Sequence, residues 1–356
     1  MTKDTSEIKK NETVAKKDTP DVKAENGAGA VTGSCDISSP LTVSASPHIF
    51  GSTDTRGIML DVLLALLPTT VLSVALFRLS AALLIAVCVA FSVLGEWAFQ
   101  KICRRANTVG DLSAVVTGLL LALNLPASVP LWQAALGSLI AVIIVKGLFG
   151  GIGHNFANPA ITARIVMLIA FSATVTAKCF PVLPSFIGNS VDLVTGATPL
   201  AILKSGTTAG LPSIPEMLFG LRGGSIGEGH IIALLIGFVY LLVRRVITWH
   251  TPVAFIGTVF LVMWIAGGSP VFALYEILSG GLVLGAVFMA TDYTTTPTTH
   301  LGHFIFGVGC GLVTCVIRLF SSSYPEGVSF SILLMNILTP YIDRFTLRRP
   351  FGGVRK

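Results

Sequence analysis

Ten blocks of apolar sequence limit what this chain can become. They lie at about 57–77, 79–100, 111–125, 131–149, 158–177, 230–248, 252–268, 271–291, 302–320 and 328–343. A helix needs roughly 20 mostly apolar residues to cross the hydrocarbon core of a bilayer. In lipid every backbone polar group must be satisfied internally, so such runs become helices. The expected fold is therefore an all-α integral membrane protein with about ten transmembrane helices. Composition agrees, because only 12% of the residues are charged and 53% are hydrophobic, against roughly 25% charged in a soluble domain.

Several blocks are short or interrupted by Gly and Pro. The block ending TGLLLALNLP (117–126) crosses only if tilted or re-entrant. A weak internal repeat accompanies these breaks. VTGLLLALNLP (116–126) and GIGHNFANPAITARIVML (151–168) in the first half match LSGGLVLGAVFMATDYTTTP (278–297) and SSSYPEGVSFSILLMNIL (321–338) in the second. Five spans per half would invert one half relative to the other. A 5+5 inverted repeat with short or broken helices is a known route to a midplane transport site. The plainer reading is the general likeness of all membrane helices.

Charge orients the chain. Residues 1–56 carry seven Lys/Arg and eight Asp/Glu, with no apolar centre. Residues 1–45 read as a disordered tail, too polar to bury a core. With an even number of spans both termini share a face, and that face collects eleven loop cations against five on the other. Cytoplasmic loops carry the excess of Lys and Arg, so both termini are expected in the cytoplasm. Residues 46–345 would form the membrane domain, 178–228 an extracytoplasmic loop, and 346–356 a basic cytoplasmic tail. No basic run is interleaved with aromatics, so nothing here suggests nucleic acid.

Polar groups inside the spans are costly and therefore informative. Asp61, Glu96, Arg164 and Glu276 fall in or at the edges of spans, and Asp292 closes one. A charge at the bilayer centre costs roughly 2.5–3.5 kcal/mol on insertion scales, so these groups face the bundle interior or an interface. Asp292, Glu96 and Asp61 are candidates for an ion or proton path. The structural alternative is internal pairing, for example of Arg164 with a carboxylate. GGIGHNFANPA (150–160) precedes a helix and reads as an anion cradle or as a turn with Asn158 capping ahead of Pro159. GGSIGEG (223–229) reads as a tight re-entry into the membrane. His300 and His303 alone do not make a metal site. The six cysteines form no CxxC pair, so neither a disulfide framework nor a metal centre is expected. Gly281/Gly285 and Gly307/Gly311 suit close helix packing.

The loop 178–228 holds 51 residues, five of them proline and eight glycine. Irregular loops longer than about 12–15 residues are usually functional or disordered. Within it runs Thr195-Gly196-Ala197-Thr198-Pro199. Gly196 and Ala197 remove bulk before Thr198, and Pro199 biases Thr198 toward an extended backbone. The hydroxyl is then displayed on a stiffened turn. Threonine is a weak nucleophile without a neighbouring base, so modification would need a second enzyme. An ordinary turn is the alternative.

Thr195-Gly196-Ala197-Thr198 resembles the flavinylation motif of the RnfD/NqrB family, subunits of respiratory redox pumps, with Thr195 where Ser or Asp is usual. SPHIF and RGIMLDVLLALLP (46–50, 56–68), GHNFANPA (153–160), GGSIGE (223–228) and FMATDYTTTP (288–297) are similar to further family signatures in the same order. The likeness spans about 46–345. The absence of longer extensions brings it nearer to RnfD than to the quinone-reducing NqrB. The resemblance implies FMN held on Thr198 by a phosphoester bond, with Thr195, Gly196 and Ala197 completing the attachment motif and a separate flavin transferase making the bond. It also implies a non-covalent riboflavin in the bundle and other Rnf subunits as partners in the cell (inner) membrane. Electron transfer between ferredoxin and NAD would be coupled to Na+ or H+ movement. A small-solute channel or transporter without redox cofactor, and an NqrB-type subunit, are the alternatives.

Overall fold

The structure, a computed structural model, describes residues 54–176, 179–180, 194–195, 199–204, 211–220, 222–321 and 326–347. The expected tail 1–45 lies outside the described residues, as do Gly196, Ala197, Thr198 and the basic end beyond Leu347.

The fold is helical. Its helices are α1 (Thr55–Ile102), α2 (Ser113–Leu123), α3 (Leu131–Leu139, continued by a π-helical turn over Ile140–Gly147), α4 (Pro159–Ala170), α5 (Ser172–Thr176), α6 (Pro199–Lys204) and α7 (Ile214–Phe219). There follow α8 (Ile231–Val243), α9 (His250–Gly267), α10 (Pro270–Leu278), α11 (Leu282–Leu284, continued by π-helical Gly285–Met289), α12 (His300–Phe320) and α13 (Val328–Thr346). A two-residue antiparallel pair, β1 (Cys179–Phe180) and β2 (Val194–Thr195), is the one departure among the described residues.

Helix falls in every expected block, but not always at crossing length. Among the described residues α1, α9 and α12 are long and apolar enough to cross a membrane, and α10 with α11 adds a span bent by 69°. By contrast α2 has 11 residues, α4 has 12 and α8 has 13, short of the roughly 20 a full crossing needs. The 48-residue α1 is two helices fused across a break at Arg78, where φ is 51° and ψ is −132°. That sparsely populated conformation costs a non-glycine residue roughly 1–3 kcal/mol. The break falls on an exposed residue, and Ser80 Oγ donates to the freed Phe77 carbonyl at 2.6 Å. Each half of α1 is long enough to cross.

Contacts fix the directions of the helices. The first half of α1 runs antiparallel to α8: Asp61 meets Tyr240 and Arg244, Ala65 faces Gly237, and Ser73 Oγ reaches the Ile226 carbonyl ahead of α8. The second half runs parallel to α3, with Cys88 beside Ala134, Gly95 against Leu139 and Ile143, and Glu96 on Lys146. In the same way α9 runs parallel to α12, with Thr251 at His303, Gly307 against Ala254 and Gly311 against Thr258. These glycines let two helices approach until backbone meets side chain.

Two half-length helices converge inside. The start of α2, at Ser113, shares a cavity wall with Ile58, Met59, Val62, Leu241 and Val246, so it lies at the Arg244 end. Its other end stops at Asn124, whose Nδ2 lies 3.2 Å from the sulfur of Met289, the last residue of the π turn after α11. That second half-helix comes from the opposite end, because α11 starts beside Ser279, which accepts from Arg318 near the end of α12. GGSIGEG meets the end of α2 and the residues just beyond it: Gly227 N donates to Leu123 O at 2.8 Å and Ile226 N to Leu125 O at 3.0 Å. The glycine run thus uses its N–H groups on α2.

Candidate functional site

Described structure brackets Gly196, Ala197 and Thr198 on both sides. Val194–Thr195 form β2, and helix resumes at Pro199 as α6. Proline suits a first helical position because no intrahelical N–H is needed there. Leu200 and Leu203 are buried and line a cavity of about 160 Å³ with Met263, Phe272, Glu276, Arg318 and Leu319. Burial of these two leucines ties α6 to the Arg318 end of the bundle.

Arg318 is itself fixed. Its Nη1 donates to the Glu276 carboxylate at 2.9 Å and to the Glu276 carbonyl at 2.6 Å, and Nη2 donates to the Ser279 carbonyl at 3.2 Å. Close by, Arg164 Nη1 donates to Asn124 Oδ1 at 2.9 Å, and Nη2 reaches Glu228 at 3.3 Å and also pairs with Glu326. The pairing expected of Arg164 is thus present, with two carboxylates. Arg222 donates to the Glu228 carbonyl at 2.7 Å. Buried charges of this kind persist only when paired and hydrogen-bonded.

The three expected path residues separate. Asp61 accepts from Tyr240 Oη at 2.9 Å and pairs with Arg244 at 3.2 Å. It clamps the first half of α1 to α8 and lines neither of the cavities that the other two border. Glu96 is 4% exposed and accepts on Oε1 from Lys146 Nζ at 2.7 Å, Gln100 Nε2 at 3.1 Å and Thr108 Oγ1 at 3.0 Å. Its Oε2 has no partner. It borders a cavity of about 350 Å³ with Asp111, Thr108, Gln100, Arg105 and Lys146. Asp292 borders a second cavity, about 90 Å³, with Ser113, Thr117, Asn155, Asn158 and again Lys146. It lies in the loop after the π turn, keeps part of its surface open to that cavity, and takes a 3.3 Å hydrogen bond from Thr294 Oγ1. Burial raises the pKa of its carboxyl group, and hydrogen bonds from Thr294, Thr295 and Tyr293 pull the other way.

Lys146 joins the two cavities, although charge counting along the sequence places it among the loop cations. It is 3% exposed and donates to Ser113 Oγ at 2.6 Å as well as to Glu96. A lone cation inside the apolar run IAVIIVKGLF (140–149) is the signal the sequence offers. Its partner stands 50 residues away, at a separation no local pattern reveals. Such an arrangement can hold or pass a small cation: hard oxygen ligands, one buried carboxylate oxygen without a partner, and a tethered ammonium already in place.

The chain matches the NQR2, RnfD, RnfE family over residues 42–352. It is 45% identical over 314 residues to the D subunit of the Na(+)-translocating ferredoxin:NAD(+) oxidoreductase complex of Acetobacterium woodii, covering 88% of this chain and 95% of that one. It is 40% identical over 327 residues to the D subunit of the proton-translocating ferredoxin:NAD(+) oxidoreductase complex of Clostridium ljungdahlii, covering 88% and 97%. To the D subunit of the ion-translocating oxidoreductase complex of Halorhodospira halophila it is 35% identical over 347 residues, covering 87% and 95%.

Proposed function

The chain belongs to the NQR2, RnfD, RnfE family, and on that premise we propose that it is the membrane flavoprotein subunit of an ion-translocating ferredoxin:NAD oxidoreductase complex. The observation that carries this reading is the near full-length match to the corresponding subunits of such complexes, joined to the Thr195–Thr198 motif in this sequence. Thr198 carries FMN through a phosphoester made by a flavin transferase, and a non-covalent riboflavin belongs to the same reading. The electrons pass to and from other subunits of the complex. A flavin supplies one- and two-electron exchange, while the protein sets its position.

The residues around α6 suit a tether. The adjoining cavity of about 160 Å³ is smaller than the roughly 300–1,000 Å³ of pockets that engulf a ligand. The ring would therefore stand on the surface of this end, within reach of partner subunits, while α6 anchors its attachment point. The ion path runs past Glu96 and Asp292, with Na+ or H+ as cargo. The parallel pairs formed by α1 with α3 and by α9 with α12 point in opposite directions, which supports the 5+5 inverted repeat of about ten spans.

The test is fluorescence of the denatured protein in a gel after expression with an active flavin transferase. The parent chain is expected to give a yellow fluorescent band and Thr198→Val none. A dark parent band would overturn the covalent flavin and favour a transporter without redox cofactor.

A further inference from the structure

The Lys146 site has a counterpart at the other end of the molecule. Ser113 opens α2, and Ser279 ends α10 three residues ahead of α11; Lys146 is followed by Gly147-Leu148-Phe149 and Arg318 by Leu319-Phe320. In both places a buried cation near the end of one helix reaches a serine beside a half-length helix: Lys146 to Ser113 Oγ, Arg318 to the Ser279 carbonyl. In both it also pairs with a buried glutamate, Glu96 or Glu276. Each pair borders a cavity, of about 350 Å³ and 160 Å³ respectively. The acid alone differs in origin, since Met263-Trp264 of α9 stands where α1 has Glu96-Trp97 and the carboxylate comes from α10 instead. One site lies at the Arg244 end and the other at the end where α9 and α12 finish.

We propose that Lys146–Glu96 and Arg318–Glu276 are two equivalent gates, one at each face, for a monovalent cation passing between the half-helices α2 and α11. The proposal rests on the reading that this chain carries the ion path. Both gates are shut in this structure. A tethered cation at each mouth repels a free one, and it occupies the oxygens that a dehydrated cation needs. Lys146 uses two of its three donor positions, on Glu96 and Ser113. Glu96 borders the larger cavity, and its Oε2 is buried without a partner. Movement of Lys146 away from Glu96 uncovers that oxygen for the cargo, leaves Oε1 to Gln100 and Thr108, and opens the cavity that Lys146 shares with Asp292. The second gate lies against Leu200 and Leu203 of α6, the helix that follows the proposed attachment residue, so a change at that residue has a direct mechanical route to it.

The test uses the whole complex in proteoliposomes without electron donor, with entry of radioactive Na+ and of protons followed separately. Each gate is neutralised as a pair, Glu96→Gln with Lys146→Gln and Glu276→Gln with Arg318→Gln, because removing one partner would strand a buried charge. Either pair alone should leave the membrane as tight as the parent, since the other gate remains. The fourfold variant should leak roughly tenfold faster than the parent, the effect of a barrier lowered by about 1.4 kcal/mol. The ion that leaks identifies the cargo class. A tight membrane with the assembled fourfold variant overturns the proposal, as does a single pair that leaks as fast as all four. If the fourfold variant does not assemble, Ser113→Cys and Ser279→Cys, each in its own neutralised pair, are treated with an impermeant thiol reagent. Modification from opposite faces is expected, and modification from one shared face or from neither overturns the gates. The pair Glu96→Gln with Lys146→Gln, and Asp292→Asn alone, separately report ions moved per NADH formed. If neither changes that ratio, the ion path through this chain fails, whatever the leak pattern.

Discussion

At the scale of single residues, local chemistry is legible in the sequence and long-range pairing is not. Asn158 caps α4 as its place before Pro159 indicates, its Oδ1 accepting from Ala160 N at 3.0 Å and Ile161 N at 3.4 Å. Arg164 finds carboxylates because a buried guanidinium has no other stable choice. The apolar run around Lys146 hints at its burial, but its partner escapes sequence reading because packing of α3 on α1 sets it, 50 residues away. Glycine contacts sharpen the same point. A Cβ at Gly118 would lie 2.8 Å from the Cys88 carbonyl and from Ser92 Oγ and 2.9 Å from Val89 Cα, whereas at Gly257 it would meet nothing within 4 Å. Both glycines are helical, so alanine improves propensity by about 1 kcal/mol at each. At Gly118 that gain is outweighed, because the obstacle is backbone and overpacking costs roughly 1–3 kcal/mol. Thermal unfolding of the detergent-purified complex should show Gly118→Ala lowered and Gly257→Ala unchanged or raised. Equal midpoints would mean that α1 and α2 are not in this close contact.

At the scale of elements, the apolar blocks predict where helix falls, and the break between the first two blocks sits at Arg78. What they do not show is which helices stop halfway. TGLLLALNLP stops at Asn124, where Gly227 N, about a hundred residues later, takes the carbonyl of Leu123 in its last turn and Ile226 N takes that of Leu125 just beyond it. The bend between α10 and α11 has a similar logic. Gly280 has φ +67°, and a Cβ there would lie 3.4 Å from Arg318 Nη2. Gly268, which ends α9, has the same φ of +67° with nothing within 4 Å. Alanine at either position carries the left-handed strain, roughly 1–2 kcal/mol, so both variants should lose stability by about that amount in thermal unfolding. Only Gly280→Ala strains a turn that holds the new methyl in contact with Arg318 of the gate, and only it should lower the ions moved per NADH formed. Parallel losses in both variants would show that the bend has no part in transport.

At the scale of the molecule, sidedness follows from contacts and from charge together. Asp61 near the start of α1 meets Arg244. At the other terminus Asp343 of α13 accepts from Thr298 N at 2.9 Å, just ahead of α12, whose His303 meets Thr251 of α9. The two ends of the described chain therefore lie at the same end of the bundle, as an even number of crossings requires. Three of the cations that the sequence places in loops, Lys146, Arg222 and Arg318, are buried and drop out of the comparison. Two of those three stand on the minority face, so the bias toward the Arg244 end becomes steeper, and on that excess of Lys and Arg we propose that end as the cytoplasmic one. Native Cys103, exposed at the end of α1, reports on this face. Pro215, exposed on α7 next to the start of α8, reports on the other. With Cys35 and Cys179 changed to Ser, an impermeant maleimide should label Cys103 only in inside-out vesicles. Pro215→Cys should be labelled only in intact spheroplasts, the face on which the flavin is expected. Labelling of both sites from one face would add or remove a crossing between them, and with it the inverted halves on which the two gates depend.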